Sequence, residues 1–404
     1  MSLAVPAPQT ARRTVLMLAM CQALAMTGAS IVATTGSIVG SMLAPDKALS
    51  TLPIAVQMTG MMSATIPMAL LMARIGRRPG FWIGASLGAT GAAVAAIAVF
   101  HADFVLFCVG TFLLGTYNGT AQQYRFAASE AADEGFRSKA ISLVLAGGVV
   151  SAVFGPETAK WSSELFAPVL FAGCYVVIIA LCFAAALLLC FIDIPKPPPL
   201  LLSNRGRPLA RIAAQPTFIA AVVAAMVGYG VMALVMTATP IAMLGCGHVF
   251  GDAAFVLQWH ALGMYAPSFV TGHLIARFGV VRILMTGAAL FLVCCGVNLA
   301  GLTVANFWAA NVALGMGWNF LFVGATTLLT RTYTPEEKGK VQALNDFLVF
   351  GTVAMSSFAS GALLSGLGWS VVQVAVMPFV AVAACVILWW RWRSTASLPH
   401  YAGS

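Results

Sequence analysis

Charge is the scarcest ingredient of this chain. Asp and Glu number 12 and Lys and Arg 21 in 404 residues, so 8% of the chain is charged and 60% is hydrophobic. A soluble domain carries about 25% charged residues. So much apolar surface cannot be hidden inside a soluble fold, and lipid must be the solvent. Paired cysteines are lacking as well. The nine cysteines are scattered and never take a C-x-x-C or zinc-ligand spacing, which excludes a disulfide framework and a thiolate metal site. No Gly-rich loop ends in Gly-Lys-Ser/Thr, so no nucleotide site is expected. No Ser/His/Asp set can be assembled, and the chain is not expected to be an enzyme. The net charge of +9 lies in short clusters rather than a stripe or arm, so no nucleic-acid partner is implied. Arg12 and Arg13 precede an apolar run too long for the core of a cleaved signal.

What is present is a series of apolar segments. Cutting the chain at charged and Pro/Gly-rich loops leaves twelve, at about 14–43, 49–73, 79–100, 103–126, 139–161, 166–193, 214–245, 251–276, 280–301, 305–330, 340–366 and 370–392. Each has the roughly 20 residues a helix needs to cross the hydrocarbon. With both termini cytoplasmic, 19 of the 21 Lys and Arg fall on the inner side, and only Lys47 and Lys160 lie outside. That asymmetry fixes the orientation in the membrane and accounts for the net charge. The Pro- and Arg-rich stretch 194–213 reads as a cytoplasmic linker between two six-helix halves, 1–193 and 214–404.

The halves repeat. Ala73-Arg-Ile-Gly…Gly84-Ala-Ser-Leu matches Ala276-Arg-Phe-Gly…Gly287-Ala-Ala-Leu at an offset of 203, and Leu114-Gly recurs as Leu314-Gly at 200. A parallel six-plus-six repeat predicts two bundles facing each other across a midplane cavity. These residues resemble the major facilitator superfamily, whose loop between the second and third helices reads G-x-x-x-D-R-x-G-R-R. Here it is Ala69-x-x-x-Ala73-Arg74-x-Gly76-Arg77-Arg78, with a second copy at Gly272-x-x-x-Ala276-Arg277-x-Gly279. The resemblance implies the all-α major facilitator fold with twelve transmembrane helices. It also implies a cytoplasmic gate at Arg74, Arg77, Arg78 and Arg277. The family's acid is Ala in both copies, which leaves Asp346 as a partner for Arg74 or as a coupling group. Gly147…Gly155-Pro156 is partly like the family's antiporter motif.

Embedded polar groups single out one stretch, Met226 to Met264. Met232-x-x-x-Met236 and His260-x-x-x-Met264 each place two soft or borderline metal donors on one helix face. Chance alone gives roughly one methionine pair at this helical spacing in so methionine-rich a chain. Three occur, the others being Met58/Met62 and Met68/Met72, so a single pair is ordinary packing. Depth makes the combination more specific. Met236 and His260 each lie nine residues from an outer helix end, and Met232 and Met264 each lie thirteen. At 1.5 Å per residue those levels are ~14 Å and ~20 Å deep. Thioethers with a neutral imidazole suit Cu(I).

This double motif resembles the CcoA-like bacterial copper importers. That resemblance implies a copper importer acting by alternating access from periplasm to cytoplasm and supplying cbb3-type cytochrome c oxidase. Copper is then cargo, no cofactor is fixed, and a cytoplasmic copper chaperone is a candidate acceptor. A monomer in the lipid bilayer is expected. Secondary ligand or redox candidates are Gln57 and Met61, which the repeat sets opposite His260 and Met264, with Cys21 on the first helix and Cys246 and His248 at the outer mouth. Two alternatives stay open. One is a secondary transporter of an organic solute or drug, with His260 as a hydrogen-bonding group and the methionines as apolar lining. The other is a copper sensor or oxidase assembly factor that moves nothing.

Overall fold

The computed structural model describes residues 8–132, 136, 140, 143–144, 146–192, 194, 206–334 and 337–396. Among these residues there is no strand. In lipid every backbone N–H and C=O must be satisfied within its own segment, and helices do this. The N-terminal half runs α1 (Pro8–Leu43), α2 (Leu52–Ile75), α3 (Arg77–His101), α4 (Phe104–Ala121), α5 (Tyr124–Ala131), α6 (Gly147–Ser162) and α7 (Ala172–Leu189). A short α8 (Leu209–Ala213) leads into the C-terminal half. That half holds α9 (Pro216–Gly245), α10 (Phe250–Tyr265), α11 (Ser268–Phe278), α12 (Val280–Ala300), α13 (Val304–Leu329), α14 (Lys338–Leu367) and α15 (Trp369–Ala396). Most of the linker, and with it Lys196 and Arg205, lies outside the described residues.

Ten helical stretches among the described residues are long and apolar enough to cross a membrane. The expected fifth and eighth segments are the two that fall short. The described part of the fifth is only α6, 16 residues long. The eighth, expected unbroken over 251–276, divides into α10 and α11 at Ala266-Pro267. Pro267 has no N–H to continue the ladder. Asn319 on α13 fills the break. Its Nδ2 donates to the Met264 carbonyl at 2.7 Å and to Ser268 Oγ at 2.6 Å, and its Oδ1 accepts from Thr271 Oγ1 at 2.6 Å. The fourth segment also divides, at Gln122-Gln123, so Arg125 begins the separate helix α5.

Each half has its own apolar core. Phe81, Phe107, Tyr124 and Tyr175 centre the first. Phe291, Phe307, Trp318 and Leu321 centre the second. The internal repeat reappears as equivalent helix crossings. A Cβ on Gly115 would overlap the Gln57 carbonyl, so α4 and α2 cross backbone to backbone. A Cβ on Gly315 would overlap the His260 carbonyl in the same way, bringing α13 onto α10. The two inner loops also match: Gly76 has φ +98° and Gly279 φ +84°, a region that L side chains seldom enter.

The bundles meet at their outer halves. All described hydrogen bonds between them lie there. Thr51 Oγ1 donates to the Phe358 carbonyl at 3.3 Å and accepts from the Gly361 N–H at 3.0 Å. Gln258 Nε2 donates to the Val153 carbonyl at 3.2 Å. The Phe171 and Phe250 rings meet edge to face at 5.1 Å on the same side. These contacts hold the two bundles together on the outer side.

Candidate functional site

The C-terminal bundle carries one concentrated group of aromatic side chains, with Trp318 buried in its core and Tyr265 turned to the N-terminal bundle. Tyr229 on α9 meets Trp318 at 5.0 Å and Phe322 at 5.2 Å between ring centroids, and Phe350 of α14 at 5.9 Å, all edge to face. Trp318 and Phe322, one turn apart on α13, stack at 5.0 Å with planes 10° apart. Tyr265, the last residue of α10, closes on Trp318 at 6.2 Å. These five rings lie fourteen to eighteen residues in from the outer ends of their helices, near mid-depth. The N-terminal bundle faces them. A Cβ on Gly148 of α6 would lie 3.2 Å from the Tyr265 ring, and Gly351, beside Phe350, faces Met62.

A charged pair borders the rings on the cytoplasmic side. Arg125 of α5 faces Asp346 of α14 and the Tyr229 hydroxyl at electrostatic range, across the bundle interface. No ion pair within 4 Å joins them among the described residues. Arg125 Nε is buried without a hydrogen-bond partner among the described residues, and its guanidinium lies 4.9 Å from the Phe126 ring. Asp346 Oδ1 accepts from Asn345 Nδ2 at 3.1 Å. An ionisable group within the membrane is costly, about 2.5–3.5 kcal/mol on insertion scales, and marks functional sites.

The residues singled out in the sequence fall in three places. His260 is buried on α10 and turned toward α13, with Nδ1 2.9 Å from the Asn311 carbonyl. A carbonyl only accepts, so Nδ1 carries the proton and Nε2 is left as a buried acceptor with no partner among the described residues. Met232 and Met264 are buried in the apolar core of the C-terminal bundle, and Met236 packs against it. The Gly315 seam draws α10 onto α13, so His260 addresses that helix. Gln57 and Met61 are buried at the equivalent crossing in the first half. Cys21 is buried in the N-terminal core, its Sγ 3.6 Å from the Ala185 carbonyl. At the outer mouth, His248 Nε2 is 2.7 Å from the Leu302 carbonyl. Cys246 lines a cavity of about 290 Å³ there, with Lys47 and Trp369.

At the inner loops, Arg77 is paired with Glu130, Nη2 to Oε1 at 2.6 Å and Nε to Oε2 at 3.0 Å, and reaches Gln123 Oε1 at 3.4 Å. Glu130 thus supplies a carboxylate to this loop where Ala73 replaces the family's acid. Arg74 and Arg78 are exposed, and Asp346 faces Arg125 rather than Arg74. Arg277 lies 5.3 Å from the Phe278 ring. A second carboxylate, at the inner start of α14, holds the linker instead. Glu337 receives Arg207 through Nε at 2.8 Å, Nη2 at 2.7 Å and the backbone N–H at 2.7 Å. These hydrogen bonds, led by the side-chain pair, hold the Glu337 carboxyl well below the usual carboxylate range.

Similarity to known proteins follows the same architecture. The Major Facilitator Superfamily family model matches residues 18–257 and 232–403. The chain belongs to the Major Facilitator Superfamily. A crystal structure of an auto-inhibited POT family peptide transporter shares this superfamily chain's fold, with a TM-score of 0.69 over 98% of this chain and 99% of that one at 14% identity. The riboflavin transporter RfnT of Brucella anthropi is 42% identical over 92% of this chain and 94% of its own. The MFS-type transporter YdeG of Bacillus subtilis is 26% identical over 95% of this chain and 93% of its own. This superfamily member is a multi-pass protein of the bacterial inner membrane, and a transporter rather than an enzyme.

The RfnT relationship overturns the expectation of a copper importer. A nearly full-length relative at this identity is named for an organic solute. Copper as cargo, supply of cbb3-type oxidase and a copper-chaperone acceptor therefore do not stand. The physical reason is local. Residues four apart share a helix face, but spacing does not say what that face meets. The His260 ring meets the Asn311 carbonyl, and Met232 and Met264 fill core volume.

Sequence reasoning missed Arg125 and all five rings. Arg125 was counted among the inner-loop cations, although it abuts an apolar segment that runs to residue 126. Trp318 and Phe322 stand at helical i,i+4 spacing. Tyr229, Tyr265 and Phe350 come from three other helices, and no spacing links them.

Proposed function

We propose that this chain is a secondary transporter whose cargo is a planar heteroaromatic solute of the flavin class, with riboflavin the leading member. The observation that carries this reading is the midplane group Tyr229, Tyr265, Trp318, Phe322 and Phe350 of the C-terminal bundle, which Tyr265 brings against Gly148 of the N-terminal bundle. Aromatic faces and edges hold a flat, electron-poor ring system by offset and edge-to-face contact. The relationship to RfnT supports the choice of flavin over other aromatic solutes. The cargo binds between the bundles and is exposed to each side in turn as they rock.

The test is uptake of radiolabelled riboflavin by proteoliposomes holding the full chain, with unlabelled flavins and unrelated aromatic amines as competitors. The reading predicts saturable riboflavin movement, competed by flavins alone. Movement of the amines without riboflavin would reassign the cargo.

A further inference from the structure

The aromatic group explains how a flat ring is held, but not how one flat ring is told from another. Stacking tolerates any π-face, so discrimination has to come from polar groups at the ring edge. Only one charged pair borders the cage among the described residues, and it is divided between the bundles: Arg125 on α5 and Asp346 on α14. Three features set it apart from a structural ion pair. The two groups are not in direct contact. Arg125 Nε is buried with no partner among the described residues, which leaves a guanidinium donor in a low-dielectric setting. Both groups stand twenty-one residues from the outer helix ends, just inside the rings, with the Tyr229 hydroxyl beside Arg125. By contrast Arg77–Glu130 and Arg207–Glu337 are closed, multiply bonded pairs.

Resting on the flavin reading above, we propose that Arg125 and Asp346 are the specificity-determining residues, reading an imide edge of the cargo. The guanidinium donates to one ring carbonyl oxygen, and the Asp346 carboxylate accepts the neighbouring N–H. A carbonyl oxygen beside an N–H matches a donor beside an acceptor, and the cargo supplies the acceptor that Arg125 Nε lacks among the described residues. Because the two groups sit on opposite bundles, a cargo that bridges them also draws the inner halves together. Aromatic solutes without such an edge stack in the cage but are not held by both bundles.

The full chain in proteoliposomes tests this with tritiated riboflavin as the probe. The competitors are lumiflavin, which keeps the imide edge and lacks the sugar-alcohol tail, and lumiflavin methylated on the imide nitrogen. Wild-type transporter is expected to bind the methylated compound at least about tenfold more weakly than lumiflavin, as loss of a charge-assisted hydrogen bond implies. In Asp346→Ala that preference collapses to within about twofold, and in Arg125→Gln riboflavin affinity falls about tenfold or more, with partial recovery in Arg125→Lys. Equal competition by the two lumiflavins in wild type overturns the inference, and this arm needs no variant to fold. Unchanged riboflavin affinity in Arg125→Gln, in protein that elutes as wild type on size exclusion, overturns it too. Both results leave the flavin reading standing. Wild-type protein that neither binds nor moves any flavin removes that underlying reading as well.

Discussion

At the scale of single residues, the proposed function rests on rings rather than on sulfur. Trp318 stacks on Phe322 and meets Tyr229 and Tyr265, so its truncation removes the centre of the cage. An aromatic platform under a base-like ring is worth about 1–3 kcal/mol. Trp318→Ala is therefore expected to raise the riboflavin Kd roughly tenfold or more, read by equilibrium binding. Met232 and Met264 give the opposite expectation. They are core volume, and a Met-to-Leu exchange conserves volume at a cost below about 1.5 kcal/mol. Met232→Leu and Met264→Leu should leave flavin uptake within about twofold of wild type. The contrast shows what the sequence could not reveal. The i,i+4 pairs were visible, but which neighbour each face meets depends on packing. The cage draws Tyr229, Tyr265, Trp318, Phe322 and Phe350 from four helices, and such a meeting leaves no periodic signature in the chain.

At the scale of helices, the glycine seams decide which elements lie together. Gly115 and Gly315 occupy repeat-related crossings where the opposing atoms are backbone carbonyls of Gln57 and His260. Backbone yields far less readily than a flexible side chain. Gly315→Ala is expected to push α10 and α13 apart, costing about 1–3 kcal/mol as overpacking does. A lowered melting temperature by scanning fluorimetry in detergent is the readout, with weakened flavin binding because Tyr265 and Trp318 ride on those helices. Much at this scale was legible. The apolar runs marked the helices, and the offset of 203 anticipated equivalent halves, seen again in the Gly76 and Gly279 loops. The breaks at Ala266-Pro267 and Gln122-Gln123 were not anticipated. Asn319 caps the first by reaching in from another helix, a tertiary solution that local propensity does not encode.

At the scale of the whole molecule, the linker is not a free tether at its C-terminal end. Glu337 binds Arg207 by side chain and backbone, Arg207 Nη2 reaches the Thr332 carbonyl at 2.9 Å, and Lys340 Nζ bonds the Arg207 carbonyl. The described end of the linker and the inner end of α14 thus move together. The Glu337 carboxyl is held below its ordinary 4.5, so its contribution is fully present above that value and is lost only as pH falls through the lower folded-state value. The difference in melting temperature between wild type and Glu337→Gln should then stay constant from about pH 8 to about pH 5. A difference that fades across that window would mean that the carboxylate is not held by Arg207. Two-fold organisation and superfamily were legible at this scale, because the repeated loop is written along the chain. Cargo was not, because the cage and its charged border exist only where the helices meet.

The central claim is that the aromatic group of the C-terminal bundle carries a flavin. Its most direct test is tritiated riboflavin uptake by proteoliposomes of wild type, Tyr229→Ala and Trp318→Ala. The account predicts saturable wild-type uptake, with apparent affinity reduced about tenfold or more in both variants while folded protein is retained. Riboflavin uptake that is as strong and as saturable in both variants as in wild type would contradict it.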